Sequence, residues 1–167
     1  MKKKTVVLGI CSLLSISLFA QRSERTTGYQ GSVNVGVATF FSPTEAPSLL
    51  TADFVNGYKF SNAYSMGIGV GVRLSHENLG GTAHYLLPLY GNFRANFVTD
   101  TVYKIFPYMQ TKLGIAIVPY SDTYALLQQS FGVSFTGTPL SVGICGELYA
   151  HEGISLVSLG LQLGISF

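Results

Sequence analysis

Three histidines, His76, His84 and His151, are the candidate general bases of this 167-residue chain. Ser75 and Glu77 flank the first of them, and Glu152 and Ser155 follow the last. A serine, a base and a carboxylate are what a hydrolase needs. The serine must lose its proton to the base, and the base must be held by an acid. No spacing here compels that assembly, and histidines solvated in loops are the expectation. Nor do the three have the ligand spacing of a metal site. A second group is Asp53, Arg73, Arg94, Lys112 and Glu147. These read as a salt-bridge and hydrogen-bond network filling an interior, with a narrow proton or ion path as the alternative. Gly67, Gly69 and Gly71 have the superficial spacing of a nucleotide loop, but no helix follows them. Cys145 reads as an inert thiol. No catalytic, cofactor-binding or metal residue is assigned, and no cofactor is expected.

The elements that carry these residues all have a period of two. From Val157 to Phe167 the odd positions are apolar (Val157, Leu159, Leu161, Leu163, Ile165, Phe167) and the even ones are Ser, Gly or Gln. That is a strand with one apolar face. Seven further segments precede it, at 28–40, 48–60, 64–75, 85–97, 102–118, 123–135 and 140–151. The cleanest sets Tyr64, Met66, Ile68, Val70, Val72 and Leu74 against Ser65, Gly67, Gly69, Gly71, Arg73 and Ser75. Two details fit less well. Pro107 predicts a bulge or break, because proline cannot donate to a ladder. Gln129 falls on the apolar face of its strand without a reason. The longest loop is expected at 76–84.

Composition narrows the class. The charged share is low (11%) and the apolar share high (47%). Yet after the N-terminal segment no apolar run is long enough for a transmembrane helix. Without such helices, only a closed barrel satisfies the backbone in lipid. The N-terminal segment reads as a Sec-type signal peptide over 1–20: Met1, then Lys2, Lys3 and Lys4, an apolar run to Phe19, and Ala20. A lipoprotein reading through Cys11 fits poorly because Ile10 is bulky. Residues 21–27 form a short polar leader. Without the signal, seven basic residues face eight acidic ones, so the formal charge of +2 does not imply a nucleic-acid partner. One cysteine then remains, and no intramolecular disulfide is possible.

Which face meets the solvent follows from the charges. Asp53, Lys59, Arg73, Arg94, Lys104, Lys112 and Glu147 all share the polar parity, and the apolar parity carries no strand charge. A soluble barrel would bury these seven charges and expose eight apolar strips to water. The apolar face is therefore read as lipid-facing. With the N-terminus in the periplasm, one end of the strands carries Tyr29, Phe60, Tyr64, Phe97, Tyr103, Phe135 and Phe167, all of lipid-facing parity. This reads as a periplasmic aromatic girdle.

Several segments carry a resemblance: Gln21 after the signal, NGYKF (56–60) followed by GIGVGV (67–72), LPLYGNFR (87–94), FPYMQTKLG (106–114), and the terminal alternation ending in Phe167. Over 28–167 the chain resembles the small outer-membrane β-barrel proteins of Gram-negative bacteria. In particular it resembles the Bacteroidetes outer-membrane β-barrel family, of the OmpX and OmpA-barrel group. The resemblance implies an all-β, eight-stranded antiparallel up-and-down transmembrane barrel without a large pore, located in the outer membrane. It implies a structural or surface-interaction role, with a deacylase-like lipid-modifying enzyme or a small-solute channel as alternatives. The expected partners are outer-membrane lipid and the barrel-assembly machinery, the latter reached through the C-terminal strand, and the expected state is a monomer.

Overall fold

The computed structural model describes residues 27–41, 48–79, 83–97, 105–119, 123–135, 138–152 and 154–167. The signal segment expected at 1–20 lies outside the described residues, as does the leader expected at 21–27 except for its last residue. Eight strands follow one another: β1 (Gly28–Phe40), β2 (Ser48–Lys59), β3 (Tyr64–Leu79), β4 (Ala83–Asn96), β5 (Ile105–Ile117), β6 (Thr123–Phe135), β7 (Leu140–His151) and β8 (Ile154–Ser166). Each pairs antiparallel with its sequence neighbours, and β8 returns to β1, so the sheet is closed. Closure leaves no edge of unpaired backbone groups.

The period-two pattern decides which way each side chain points. Along β8 the buried positions Ser158, Gln162 and Gly164 alternate with exposed Val157, Leu159, Leu161 and Leu163. The same alternation runs round the wall. Ile68, Val70, Leu89, Leu113 and Ile144 stand outside, while Asn34, Arg73, Asn92, Lys112 and Glu147 are buried inside. Among the described residues no charged side chain of a strand lies on the outer face. An exterior of this kind is solvated by lipid.

Two local readings are corrected. Pro107 makes no bulge: β5 and β6 pair without a break from Ile105↔Phe135 to Ile117↔Thr123, with Pro107 opposite Val133. Pro107 falls where pairing with β4 is ending, and its carbonyl accepts the Phe97 N–H at 3.0 Å. The proline that disturbs a ladder is Pro88, whose missing N–H coincides with the gap between Val70↔Leu89 and Arg73↔Leu86. The loop expected at 76–84 is largely strand, since β3 and β4 continue to Leu79↔Ala83 after a register shift. The fifth strand is described from Ile105, and the start expected for it at 102 lies outside the described residues.

The two ends of the barrel differ. The end holding the start of β1 and the finish of β8 is here called the terminal end, and the opposite one the loop end. A tight turn joins β2 to β3 at the terminal end. There Ser61 Oγ accepts the N–H groups of Ala63 and Tyr64 at 3.1 and 3.2 Å. At the loop end β7 and β8 pair as far as His151↔Ile154, with Glu152 in the left-handed region (φ 40°) where the chain reverses.

Candidate functional site

Among the described residues the lumen is where polar side chains gather, and it is built in three layers. Asp53 on β2 and Arg73 on β3 are inward neighbours because Asp53 pairs with Gly71 and Thr51 with Arg73. The Arg73 guanidinium donates to both oxygens of Asp53, at 2.9 and 3.2 Å. It also reaches across the lumen to Glu147 Oε1 at 2.8 Å. Lys112 Nζ on β5 donates to Asp53 Oδ2 at 2.7 Å. The carboxylates are capped further: Tyr90 donates to Asp53 at 2.9 Å and Tyr149 to Glu147 at 2.6 Å. Gln128 and Ser158 complete the layer. Arg73 and Lys112 have no exposed surface. Two cations and two carboxylates, each with further hydrogen bonds, form a buried ionic group that is balanced and satisfied.

Glycines make room for this layer. A methyl group on Gly69 would overlap the Tyr90 ring, and one on Gly71 would overlap the Asp53 carboxylate. The Gly67, Gly69 and Gly71 spacing thus serves packing inside a strand.

Toward the terminal end the lumen stays polar but changes character. Arg94 on β4 stacks over the Tyr108 ring, its guanidinium carbon 3.9 Å from the centroid. It donates to Asn96 Oδ1 at 3.3 Å and to Ser134 Oγ. Gln110 Nε2 donates to Asn92 at 2.6 Å, and Gln162 Nε2 to Tyr108 at 3.2 Å. Arg94 does not join the Asp53–Arg73–Lys112–Glu147 group, although all five share one parity.

Toward the loop end the lumen is apolar. Phe40, Leu49, Leu86, Ala116, Val118, Leu126 and Tyr149 pack inward, with Tyr124 and Leu156 against them. Phe40 and Tyr149 meet edge-on at 5.9 Å between centroids. The sequence reading did not find this layer. Its signal was present as adjacent apolar pairs near the loop-end strand termini: Leu49-Leu50, Leu86-Leu87, Leu126-Leu127 and Leu156-Val157. A strand dry on both faces reads as a run and not as an alternation.

On the outer face Tyr29, Phe60, Tyr64, Phe97 and Phe135 are exposed at the terminal end. Phe167 is only partly exposed because its ring lies against Gly31, with the two backbones bonded at 2.7 and 2.9 Å. Tyr103 lies outside the described residues. A shallow groove of about 680 Å³ crosses the outer wall near the loop end, lined by Val37, Leu50, Leu74, Leu159 and Leu161 among others.

No protein-family model matches the sequence, and no curated relative does. Solved structures do match. Neisserial surface protein A aligns over 85% of this chain and 98% of its own, at 16% identity and a TM-score of 0.68. The outer-membrane enzyme PagL aligns over 79% of this chain and 98% of its own, at 15% identity and a TM-score of 0.57. The N-terminal barrel of Pseudomonas aeruginosa OprF aligns over 83% and 97%, at 16% identity and a TM-score of 0.54. The fold is that of the small outer-membrane barrels. At these identities the likeness is one of fold alone.

One of those barrels is an enzyme, which makes the positions of the Ser and His residues worth stating. Ser75 faces inward on β3 and Ser155 faces outward on β8, so the two serines lie on opposite sides of the wall. His151 sits on β7, across the lumen from β3. Its Nδ1 lies 3.1 Å from the Thr123 carbonyl, its ring 5.3 Å from that of Tyr124, and its Nε2 3.9 Å from Glu152. The side chains of His76, Glu77 and His84 lie outside the described residues. Among the described residues no cluster of three potential metal ligands occurs.

Proposed function

We propose that this chain is an integral outer-membrane barrel of a Gram-negative bacterium, with a structural or surface-interaction role and no large pore. One observation carries the reading. The wall is apolar outside, and the lumen is closed by Arg73 bonded to Glu147 on the opposite side. Such a barrel anchors in lipid through its wall, and solute has no open path through it. What remains for contact with other molecules is the set of connections at the loop end.

The finer assignments follow from the sequence. Residues 1–20 act as the signal peptide and 21–27 as a leader. The barrel inserts as a monomer through the barrel-assembly machinery, which reads the strand ending in Phe167. Tyr29, Phe60, Tyr64, Tyr103, Phe97, Phe135 and Phe167 sit at the periplasmic interface, where aromatic rings favour the headgroup region. Within the outer-membrane barrels, NGYKF, GIGVGV and FPYMQTKLG support the Bacteroidetes family. The chain carries out no hydrolysis of its own.

The test is fractionation of cells that express the full chain, followed by gel electrophoresis with and without boiling. The protein should be found in the outer membrane and should change mobility on heating, as intact barrels do. Recovery in the soluble periplasm would overturn the proposal.

A further inference from the structure

We propose that two copies of this barrel pair in the membrane across β6, through their Gln129 amides. Pairing presupposes that the chain is an integral outer-membrane barrel, the reading proposed above; each copy inserts alone and pairs afterwards. Gln129 is the seventh of the 13 residues of β6 and Thr111 the seventh of the 13 of β5, so both stand at mid-wall on the outer face. Strands of this length cross the hydrocarbon with their ends at the headgroups, which places the Gln129 amide away from water. Ser48 and Asn56 also face outward, but each lies within the four residues nearest an end of β2, where headgroups and water supply partners.

The bond from Thr111 meets only half of that amide. Gln129 Oε1 accepts from Thr111 at 2.8 Å, while Nε2 donates to nothing among the described residues. Turning the amide over exchanges its two ends and leaves the carbonyl unmet instead. Acyl chains offer neither donor nor acceptor, and an unmet amide group in hydrocarbon is unfavourable. A second Gln129 offers both. A primary amide is self-complementary, so two of them related by a two-fold axis exchange a pair of N–H···O bonds. One lone pair of each carbonyl takes the new bond while the other keeps Thr111. A two-fold interface sets a residue on its axis against its own counterpart.

The wall beside the amide has room for that approach. Gly146 on β7 is the cross-strand partner of Gln129 and faces outward between Ile144 and Leu148. Packing inside the barrel does not require a glycine there. A methyl group on Gly146 would meet only the Ser158 carbonyl, at 3.9 Å, whereas on Gly69 and Gly71 it would come within 2.4 and 2.3 Å of other atoms. In lipid, small residues let two surfaces approach until polar groups bond and side chains interlock. Leu127, Phe131 and Ile144, all exposed, frame the hollow and supply the packing around the amides.

The experiment uses the full barrel, in density-matched detergent micelles for sedimentation equilibrium and in outer membranes for disulfide trapping. Wild type should pass reversibly from single barrels to pairs as the protein-to-detergent ratio rises. Gln129→Leu should weaken pairing about tenfold or more. Gly146→Leu, which fills the hollow, should weaken it too, and Leu50→Ala on β2, four strands away, should not. In a Cys145→Ser background, Gln129→Cys should give a disulfide-linked dimer on oxidation, and Phe54→Cys on β2 should not. Single barrels at every ratio, unchanged pairing in Gln129→Leu, assemblies larger than two, no trapped dimer from Gln129→Cys, or a disulfide to a protein of another mass would each overturn the proposal. A heat-modifiable, membrane-borne barrel that never pairs counts against pairing alone. Recovery in the soluble periplasm counts against the membrane reading beneath it.

Discussion

Thr111 Oγ1 donates to Gln129 Oε1 at 2.8 Å on the outer face of the barrel, between strands where the two residues are direct cross-strand partners. This accounts for a glutamine among Leu127, Phe131 and Phe135. Its carbonyl is satisfied by a neighbour that is equally out of place between Met109 and Leu113. The pair makes a prediction. Thr111→Val leaves the Gln129 amide facing hydrocarbon and should cost about 1 kcal/mol. The double variant Thr111→Val, Gln129→Leu should recover that loss or exceed the wild type. Urea unfolding in lipid vesicles measures both. A double variant less stable than Thr111→Val alone would mean that the pair serves something other than its own satisfaction.

The Phe167 ring covers Gly31, and a methyl group at Gly31 would overlap it. Gly31→Val should therefore lower the fraction of barrel that reaches the heat-modifiable form, and Phe167→Ala in the same chain should relieve part of the defect. Deleting Phe167 alone should impair assembly more than His84→Ala does. Normal assembly of both would remove the terminal residue from any part in barrel closure.

Glu147 lies 1% exposed and takes its bonds from Arg73, Tyr149 and Ser158. Glu147→Ala leaves Arg73 with a single carboxylate shared with Lys112. Loss of one partner from a buried ionic group costs about 3–5 kcal/mol. Removing both ends, as in Arg73→Met with Glu147→Leu, leaves Asp53 and Lys112 paired and should cost less than Glu147→Ala alone. Urea midpoints of the two variants decide the matter, and the reverse order would refute the assignment of a balanced group.

In planar bilayers the wild-type barrel should show no discrete conductance steps, because the central ionic layer and the loop-end cluster of Phe40, Leu49, Leu126 and Tyr149 close the lumen in series. A variant that opens only the ionic layer, Arg73→Ala with Glu147→Ala, should remain closed. Steps in the wild type would show that the apolar layer moves.

The strand plan could be read from the chain because a period of two is a local property, visible in every segment from Tyr29 to Phe167. The inward parity of Asp53, Arg73, Arg94, Lys112 and Glu147 was legible for the same reason. Their heights along the barrel axis were not. Parity says which face a residue takes, whereas the register between neighbouring strands says which layer, and register depends on hairpin geometry. Hence Arg94 was grouped with charges it does not touch. The role of Pro88 was hidden likewise, since a proline disturbs only the neighbour toward which its nitrogen points. The loop-end cluster was missed because residues such as Leu49 and Leu86 break the alternation that identified everything else.

Arg73 and Glu147 stand on β3 and β7, four strands apart in a ring of eight. Their bond is a spoke. A sheet closed on itself can flatten toward an ellipse by small changes of twist, without breaking any ladder. Here flattening that carries β3 away from β7 stretches the ion pair, and flattening that brings them together presses Arg73 into Tyr90, Gln128 and Tyr149. The roundness of this barrel is thus held from within, against the lateral pressure of the bilayer around it.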